Sequence, residues 1–420
     1  MDIAINKARL ARLMKEQASI GATEDGGLHR LALSTADGSA RDWFVDQLHA
    51  AGLSVRIDKF GNIFGRRESA NKNAQPILLG SHLDSQPRGG IYDGALGIVA
   101  GLEFVKTLND NDIRTEHPIE LVNWTNEEGS RFQPTMQGSG VWIGKYDLQN
   151  EYEKTDQEGA SVEQELEQIG YLGSSPAEPQ EPYEAYLELH IEQGPSLDAG
   201  DYSVGVVTGV VGLWWGAVTF SGEPNHSGST PMKFRQDALV SAADFITRVR
   251  RIASTLGPDT VGTVGYINAD PNSINVIPGE VTVTFGFRDP SDNVLDRAKG
   301  KVLSAAEQSA ALEDVNWDWE NRSRDQGVQF APHLIDTIED VATSKGYRST
   351  RLFSGGVHDA AHLASICDSG MVFAVSKDGK SHSEDEYTSW DDCYTAADTF
   401  ANAALQLATQ TNNNHDSSMA

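Results

Sequence analysis

The chain has 420 residues and carries 61 aspartate and glutamate residues against 33 lysine and arginine residues, a formal net charge of −28. This acidic balance argues against nucleic acid as a partner, because phosphate contacts need a basic face. No stretch approaches the length of a membrane span, and the two cysteines, Cys367 and Cys393, form neither a disulfide framework nor a metal motif. The chain is also too long for one hydrophobic core and predicts two domains.

The two ends of the chain carry separate expectations. The first 30 residues contain no apolar core long enough for a signal peptide, so a cytoplasmic protein is expected. An acid-rich surface is also typical of proteins from high-salt cells, and the composition leaves that alternative open. The polar tail from Thr411 onward is expected to be disordered.

Strand and helix patterns alternate through the first half of the chain. The predicted elements there are a strand at 77–81, a helix at 94–108 and strands at 119–124 and 185–190. This alternation is typical of an α/β domain with a mostly parallel, mixed sheet flanked by helices.

The order of elements changes from residue 211. The predicted elements that follow are a strand at 212–220, a helix at 233–253, strands at 260–267 and 280–288, a helix at 292–311 and a strand at 315–320. This is the order of the ferredoxin-like split arrangement, an α+β fold. From residue 327 the earlier alternation returns, with strands at 351–353 and 371–375. We therefore predict a larger domain at 1–210 and 327–420, interrupted by a smaller one at 211–326.

Five residues that favour divalent metals lie at predicted strand ends or in the loops that follow: His82, Asp93, Glu128, His190 and His382. Three imidazoles and two carboxylates, one of them bridging, suit two metal ions. A second carboxylate, Glu127, directly precedes Glu128 and is free to act as a general base. The set predicts metal-assisted hydrolysis of a carbonyl compound.

Each of these residues also has a structural interpretation. Asp93 stands where the N-cap of the next helix would be. Two adjacent acids in a loop are often only solvated, and a single histidine is more often structural than a ligand. Asp84, two residues after His82 on an extended backbone, suits a hydrogen-bond partner for that imidazole.

Six segments resemble the hydantoinase/carbamoylase family of amidases. They are Gly-Ser-His-Leu-Asp-Ser at 80–85, Gly-Gly-Ile-Tyr-Asp-Gly-Ala-Leu-Gly at 89–97, Asn-Glu-Glu-Gly-Ser-Arg-Phe at 126–132, His-Ile-Glu-Gln-Gly-Pro at 190–195, His-Ser-Gly-Ser-Thr-Pro-Met at 226–232 and Ser-His-Ser-Glu-Asp-Glu-Tyr-Thr-Ser at 381–389. That family lies within a superfamily of dinuclear-zinc aminoacylases and exopeptidases. The resemblance implies that the five residues above bind two metal ions, with Asp93 bridging, and that Glu127 is the base.

The resemblance also implies how the substrate is bound. The residues that it assigns to the substrate are Gln193, His226, Asn275, Arg288, Gly355 and Gly356. His226 would stabilise the oxyanion as a second catalytic residue, often in the neighbouring subunit. Asn275 and Arg288 would hold a substrate carboxylate, since a guanidinium pairs with two oxygens at once. Arg288 also has the simpler interpretation of a strand-end surface charge. The smaller domain would serve as a lid and form the interface of a homodimer.

One loop departs from the family pattern. The chain has Ser-Gly-Gly-Val-His-Asp at 354–359, where the family is expected to have Ser-Gly-Ala-Gly-His-Asp. Val357 therefore replaces a glycine that would permit a positive φ and a close backbone approach. This substitution puts the fit of the substrate at Gly355 and Gly356 in question.

The implied reaction is cleavage of the carbamoyl (ureido) C–N bond of an N-carbamoyl-L-amino acid to amino acid, ammonia and carbon dioxide. Zinc or manganese suits the mixed ligand set, with cobalt or nickel as further candidates. Allantoate and β-ureidopropionate remain open as substrates, because each carries the same carboxylate and ureido groups. An aminoacylase or dipeptidase is a further alternative, and a metal-free binding protein is the alternative from another class.

Overall fold

The structure is a computed structural model, and it describes residues 2–410. The tail from Thr411, predicted to be disordered, lies outside the described residues. The chain forms two compact units, unit 1 up to Thr208 and again from Gln329, and unit 2 from Gly209 to Val328. The roles predicted for these two parts, catalytic domain and lid, stay predictions. No helix in the described range is long and apolar enough to cross a membrane.

The elements are numbered in chain order. The α-helices are α1 Lys7–Ala18, α2 Thr35–Ala50, α3 Ala95–Asp110, α4 Gln137–Trp142, α5 Leu148–Tyr152, α6 Val162–Gln168, α7 Ser196–Gly200, α8 Ala238–Leu256, α9 Asp292–Glu313, α10 Pro332–Ser344, α11 Asp359–Leu363 and α12 Trp390–Thr409. The strands are β1 Ser54–Ile57, β2 Ile63–Arg67, β3 Ile77–His82, β4 Ile119–Trp124, β5 Ala185–Ile191, β6 Val204–Val210, β7 Gly212–Ser221, β8 Asn225–His226, β9 Val261–Asp270, β10 Val276–Ile277, β11 Glu280–Asp289, β12 Asn316–Asp325, β13 Val328–Gln329, β14 Ser349–Ser354 and β15 Asp368–Ala374. Short 3-10 helices span Met232–Phe234 and Lys377–Gly379.

The larger sheet has parallel strands at its centre. Its strand order is β1-β2-β4-β3-β5-β15-β6-β13, and β14 pairs with β6. The pairs β4–β3, β3–β5 and β5–β15 are parallel, whereas β1–β2, β2–β4 and β15–β6 are antiparallel. Strands β3, β4 and β5 are buried along their whole length, as expected for parallel strands with both faces covered. The predicted fold class of this part, a mixed α/β sheet flanked by helices, is confirmed.

The sheet of unit 2 has the order β12-β7-β11-β9, and all neighbours are antiparallel. With α8 and α9 between its strands, this is the split arrangement predicted from the sequence. Helices α8 and α9 bury their small and apolar residues against the sheet. Trp214 is part of this core, with its ring 4.9 Å from that of Phe285, and it donates to Asn321 Oδ1 at 2.8 Å.

Two predicted boundaries in unit 2 were wrong. The helix predicted from residue 233 begins at Ala238, because the Asp237 side chain caps it by accepting from the N–H groups of Leu239 and Val240. The strand predicted to end at residue 320 continues to Asp325. Its polar second half is held by backbone pairing with β7 rather than by burial of apolar side chains.

Candidate active site

The site of unit 1 lies where the parallel strands end. His82 is the last residue of β3, and His190 is the penultimate residue of its neighbour β5. Both side chains are almost fully buried, and their rings lie 5.8 Å apart. The carboxyl ends of parallel strands are where α/β proteins build their sites.

Asp93 connects two groups of potential metal ligands. Its Oδ1 lies 2.9 Å from His190 Nε2 and 3.5 Å from His82 Nε2. Its Oδ2 lies 3.3 Å from His382 Nε2, which is in turn 3.7 Å from Glu128 Oε2. The two groups that could hold a metal ion are thus His82, Asp93 and His190, and Asp93, Glu128 and His382. A carboxylate with one oxygen in each group has the arrangement of a bridging ligand.

The two buried imidazoles direct their Nε2 atoms toward Asp93. His82 Nδ1 lies 2.9 Å from the Asp84 carbonyl oxygen, and His190 Nδ1 lies 2.9 Å from the Ile191 carbonyl oxygen. Because a carbonyl only accepts, each Nδ1 carries a proton, which leaves Nε2 as the possible metal-ligand atom of each ring. The N–H of Gly94 donates to His190 Nε2 at 3.2 Å, which agrees with this tautomer. Histidine ligands are usually oriented in this way.

Asp84 was predicted to hydrogen-bond the His82 imidazole through its side chain, and it does so through its backbone instead. It binds His82 through its backbone oxygen, and its Oδ1 lies 3.8 Å from the ring. Its two carboxylate oxygens instead accept from the N–H groups of Glu127 and Glu128, each at 3.2 Å. Asp84 therefore orients the His82 ring through its backbone and the loop after β4 through its side chain.

The loop before α3 holds Asp93 as a site residue rather than as a helix cap. The N-cap of α3 is Gly94, which has a φ of +63°. A Cβ atom at Gly94 would lie 2.4 Å from the His82 ring, so glycine lets the backbone pass beneath the imidazole. Glu386 Oε1 accepts from the Asp93 N–H at 3.2 Å, and Ser381 Oγ donates to Asp93 Oδ2 at 3.2 Å.

The paired acids after β4 point to different partners. Glu127 Oε2 lies 3.5 Å from His82 Nε2. The Glu128 carboxylate accepts from Gln86, from its backbone N–H at 3.0 Å and from its Nε2 at 2.7 Å. Asn126 adopts a φ of +52°, which turns the chain sharply at the strand end. Both acids are buried, so they are not the solvated pair of the alternative interpretation.

Burial disfavours the ionised forms of the two adjacent acids. Burial raises the pKa of Glu127 well above its usual value, and it raises that of Glu128 to about 7 with help from Asp93. Asp93 is the exception: despite burial, the neighbouring imidazoles of His190, His382 and His82 hold its pKa well below the usual range. Divalent cations would offset the charge that these carboxylates concentrate.

The residues present fit such cations. The buried Nε2 of His82 has no hydrogen-bond partner within the described residues, so this nitrogen is available to coordinate a metal ion. The donors are imidazole nitrogens and carboxylate oxygens, a set that suits zinc or manganese.

Unit 2 holds the other predicted residues, and His226 is the most informative. It lies exposed on β8, which pairs with β10. Its Nδ1 accepts from the N–H groups of Gly228 at 3.0 Å and Ser229 at 3.2 Å. Since backbone N–H groups only donate, the ring proton is on Nε2, and His226 presents a hydrogen-bond donor.

Asn275 and Arg288 lie on neighbouring segments of unit 2. Asn275 is exposed and its carbonyl oxygen accepts from the Ser227 N–H at 3.0 Å. Arg288 lies near the end of β11, opposite Leu213 and Val261. Burial lowers the pKa of its guanidinium.

The remaining predicted substrate residues belong to unit 1. Gln193, with a φ of +58°, donates from Nε2 to Asp93 Oδ2 at 2.8 Å. A Cβ atom at Gly356 would lie 2.9 Å from Gln193 Oε1, so this glycine allows a close approach, whereas one at the exposed Gly355 would meet nothing within 4 Å. Val357 is not among the described residues with positive φ, so valine fits this backbone.

Sequence reasoning missed three residues that support the site. Glu386 accepts a hydrogen bond from the Asp93 N–H, and Gln86 donates one to the Glu128 carboxylate. The third residue, His358, has its ring 4.4 Å from that of His190. Burial lowers the pKa of His358 well below its usual value, so this imidazole is neutral. Glu386 and His358 stood inside segments that the resemblance had singled out, but no spacing rule distinguishes supporting residues from ligands.

Comparisons with known proteins agree with this geometry. A model of peptidase family M20/M25/M40 matches residues 78–406. The chain is 39% identical over 404 residues to an N-carbamoyl-L-amino-acid amidohydrolase of Rhizobium meliloti, covering 96% of this chain and 97% of the relative. It is 31% identical over 373 residues to an allantoate amidohydrolase of Bacillus subtilis (strain 168), covering 89% and 90%. An amidase of the hydantoinase/carbamoylase family from Burkholderia multivorans has a TM-score of 0.93 at 40% identity, covering 97% and 99% of the two chains.

The fold and site define a hydrolase of C–N bonds from a metal-dependent family. The chain belongs to peptidase family M20/M25/M40. The resemblance to the hydantoinase/carbamoylase amidases, drawn from six segments, is confirmed.

Proposed function

We propose that the protein hydrolyses the carbamoyl C–N bond of an N-carbamoyl-L-amino acid and releases the amino acid, ammonia and carbon dioxide. The observation that carries this proposal is Asp93, whose two oxygens face two histidine-containing groups beside the buried Glu127. The names of the relatives that cover almost the whole chain support the substrate class.

Two divalent ions, zinc or manganese, would be held by His82, Asp93, Glu128, His190 and His382. When bound, such ions polarise a carbonyl and lower the pKa of water. Glu127 takes the proton of the attacking water and later donates it to the leaving nitrogen. Burial raises the pKa of Glu127, which makes its carboxylate a stronger base toward the proton of the water.

Three residues of unit 2 are assigned to recognition. His226 Nε2–H stabilises the oxygen on which negative charge develops, in keeping with its tautomer. Asn275 and Arg288 bind the substrate carboxylate, and Gln193 and the backbone of Gly355 and Gly356 complete the contacts.

A homodimer through unit 2 is part of the proposal. Strand β9 is an edge of its sheet, and Val261, Tyr266 and Ile267 on it are 56%, 52% and 46% exposed. An apolar edge strand pairs readily with a second copy. We also propose a cytoplasmic location, which the free thiols of Cys367 and Cys393 favour.

An ammonia-release screen tests the reaction. The purified protein, loaded with manganese or zinc, would be given carbamoyl-L-amino acids, allantoate and β-ureidopropionate, with a Glu127→Gln variant as the background control. We expect the highest kcat/KM on a carbamoyl-L-amino acid. A clear preference for allantoate would replace the proposed substrate with that of the Bacillus subtilis relative, and ammonia release that persists in the variant would contradict the role of Glu127.

A further inference from the structure

A cationic groove lies between α8 and α9 of unit 2. Its volume is about 330 Å³, within the usual range for small-molecule pockets. The residues that line it are Arg248, Arg251, Ile252, Gly300, Lys301, Ser304, Ala305 and Gln308. Three of these side chains are cations, and none is a carboxylate.

Helical spacing brings these residues together. Arg248 with Arg251, and Lys301 with Ser304, are three residues apart, and Gln308 follows Ser304 by four, so each helix turns its polar members to the same side. Neighbouring positions face elsewhere: Arg250 on α8 and Lys299 on α9 are both exposed and neither lines the groove.

Hydrogen bonds hold Arg248 in place, whereas Arg251 and Lys301 have no such partners in the described groove. Arg248 donates from Nε to Asp244 Oδ2 at 2.5 Å and from Nη1 to Gln308 Oε1 at 2.7 Å. The side chains of Arg251 and Lys301 form no hydrogen bond or ion pair within residues 2–410. The groove therefore combines one oriented guanidinium with two cations that form no hydrogen bond or ion pair there, although Arg251 lies near enough to Asp244 to lower the pKa of that carboxyl group.

A cluster of cations is unusual in a chain with this excess of acidic residues. The chain has 61 acidic against 33 basic residues, yet Asp244 is the one acid paired with any cation of the groove in the described structure. Like charges gathered in one groove repel each other, and an anion bound between them would offset that repulsion. Ile252 and Ala305 add apolar surface to the same groove.

We propose that this groove binds a small multivalent oxyanion, such as a diphosphate, with an apolar portion against Ile252 and Ala305. Guanidinium groups pair with two oxygens of such an anion, and the Lys301 ammonium supplies a point charge. The ligand is small because the groove has a volume of only about 330 Å³. This site is separate from the proposed hydrolysis and does not depend on it.

Calorimetric titration of the full-length protein with pyrophosphate, at constant ionic strength, tests the proposal. We expect saturable binding that weakens as salt is raised. Arg251→Gln and Lys301→Gln should each weaken it about tenfold or more, since each removes a charge-assisted contact. A parallel titration with citrate distinguishes a phosphoryl ligand from a carboxylate ligand, because the shared charge would serve either.

Two matched controls separate the groove from general surface charge. Arg250→Gln and Lys299→Gln remove the same charges from the same helices outside the groove, and both should leave binding within twofold of the unsubstituted protein. Absence of binding to both anions, or equal weakening by the groove and control variants, would overturn the proposal. Circular dichroism confirms that each variant is folded, and the two groove variants provide independent readings if one of them is not.

Discussion

The candidate site residues of the two units differ in their burial and in the hydrogen bonds that hold them in place. In unit 1, His82, Asp93 and Glu127 are buried and held by partners from several strands and loops. In unit 2, His226 and Asn275 are exposed; backbone N–H groups of its own loop hold the His226 ring, and the Ser227 N–H donates to the Asn275 carbonyl oxygen. The difference agrees with the proposed division of work, in which buried groups of unit 1 carry the bond cleavage and unit 2 contributes to recognition of the substrate.

The largest expected effect tests the buried side of this comparison. Glu127→Gln should lower kcat by about three orders of magnitude or more, because the general acid–base function is lost. Metal content, measured by elemental analysis, should hardly change. Glu128→Gln is the matched control and should reduce bound metal. If Glu127→Gln removed metal and Glu128→Gln did not, the two roles would be reversed.

The next effect tests recognition by unit 2, through the partly buried Arg288. Lysine at position 288 keeps the charge but loses the planar fork, so Arg288→Lys should lower kcat/KM about ten- to a hundredfold with metal content unchanged. The loss should be much smaller on the amide analogue of the same substrate. Steady-state kinetics on the acid and the amide provide the comparison, and equal losses on both would assign Arg288 to support of the fold.

A third prediction compares a buried histidine with an exposed one. Burial, together with Lys145, lowers the pKa of His362 to about 3. Since the unfolded chain binds its proton near pH 6.5, the stability that this depressed pKa contributes is present above that pH and is lost as pH falls from 6.5 toward 3. The loss for one proton is at most about 1.4 kcal/mol per pH unit.

Urea unfolding between pH 7 and 5 measures this slope. His362→Gln should unfold with a shallower dependence on pH than the unsubstituted protein, whereas the exposed control His49→Gln should leave the slope unchanged. The same slope in all three proteins would show that His362 does not control this loss.

The smallest effect concerns the exposed surface of unit 2. Gly300 lies inside α9, and a Cβ atom there would meet nothing within 4 Å. Gly300→Ala should therefore raise the free energy of unfolding by about 0.5–1 kcal/mol through helix propensity alone. The buried Gly97 of α3 is the contrast, because its Cβ atom would lie 2.3 Å from the Leu189 oxygen. Thermal unfolding should show opposite signs for the two alanine variants.

Apolar patterning predicted the strands that surround the site. The segments at 119–124 and 185–190 were predicted from their strand patterns, and β4 and β5 match them closely because both are wholly buried. The start of α8 was wrong, because the cap at Asp237 acts through two hydrogen bonds rather than through hydrophobic periodicity. Patterns of burial can be read from a sequence more directly than single polar contacts.

The sequence by itself determined which residue types follow each strand and in what order. Only the tertiary structure decided that Asp93 presents one oxygen to each ligand group, that Asp84 binds His82 through its backbone, and that Glu386 holds the Asp93 N–H. The physical reason is distance along the chain. Asp93 and Glu386 are 293 positions apart, and no local propensity or periodicity encodes a hydrogen bond that exists only after the strands have packed.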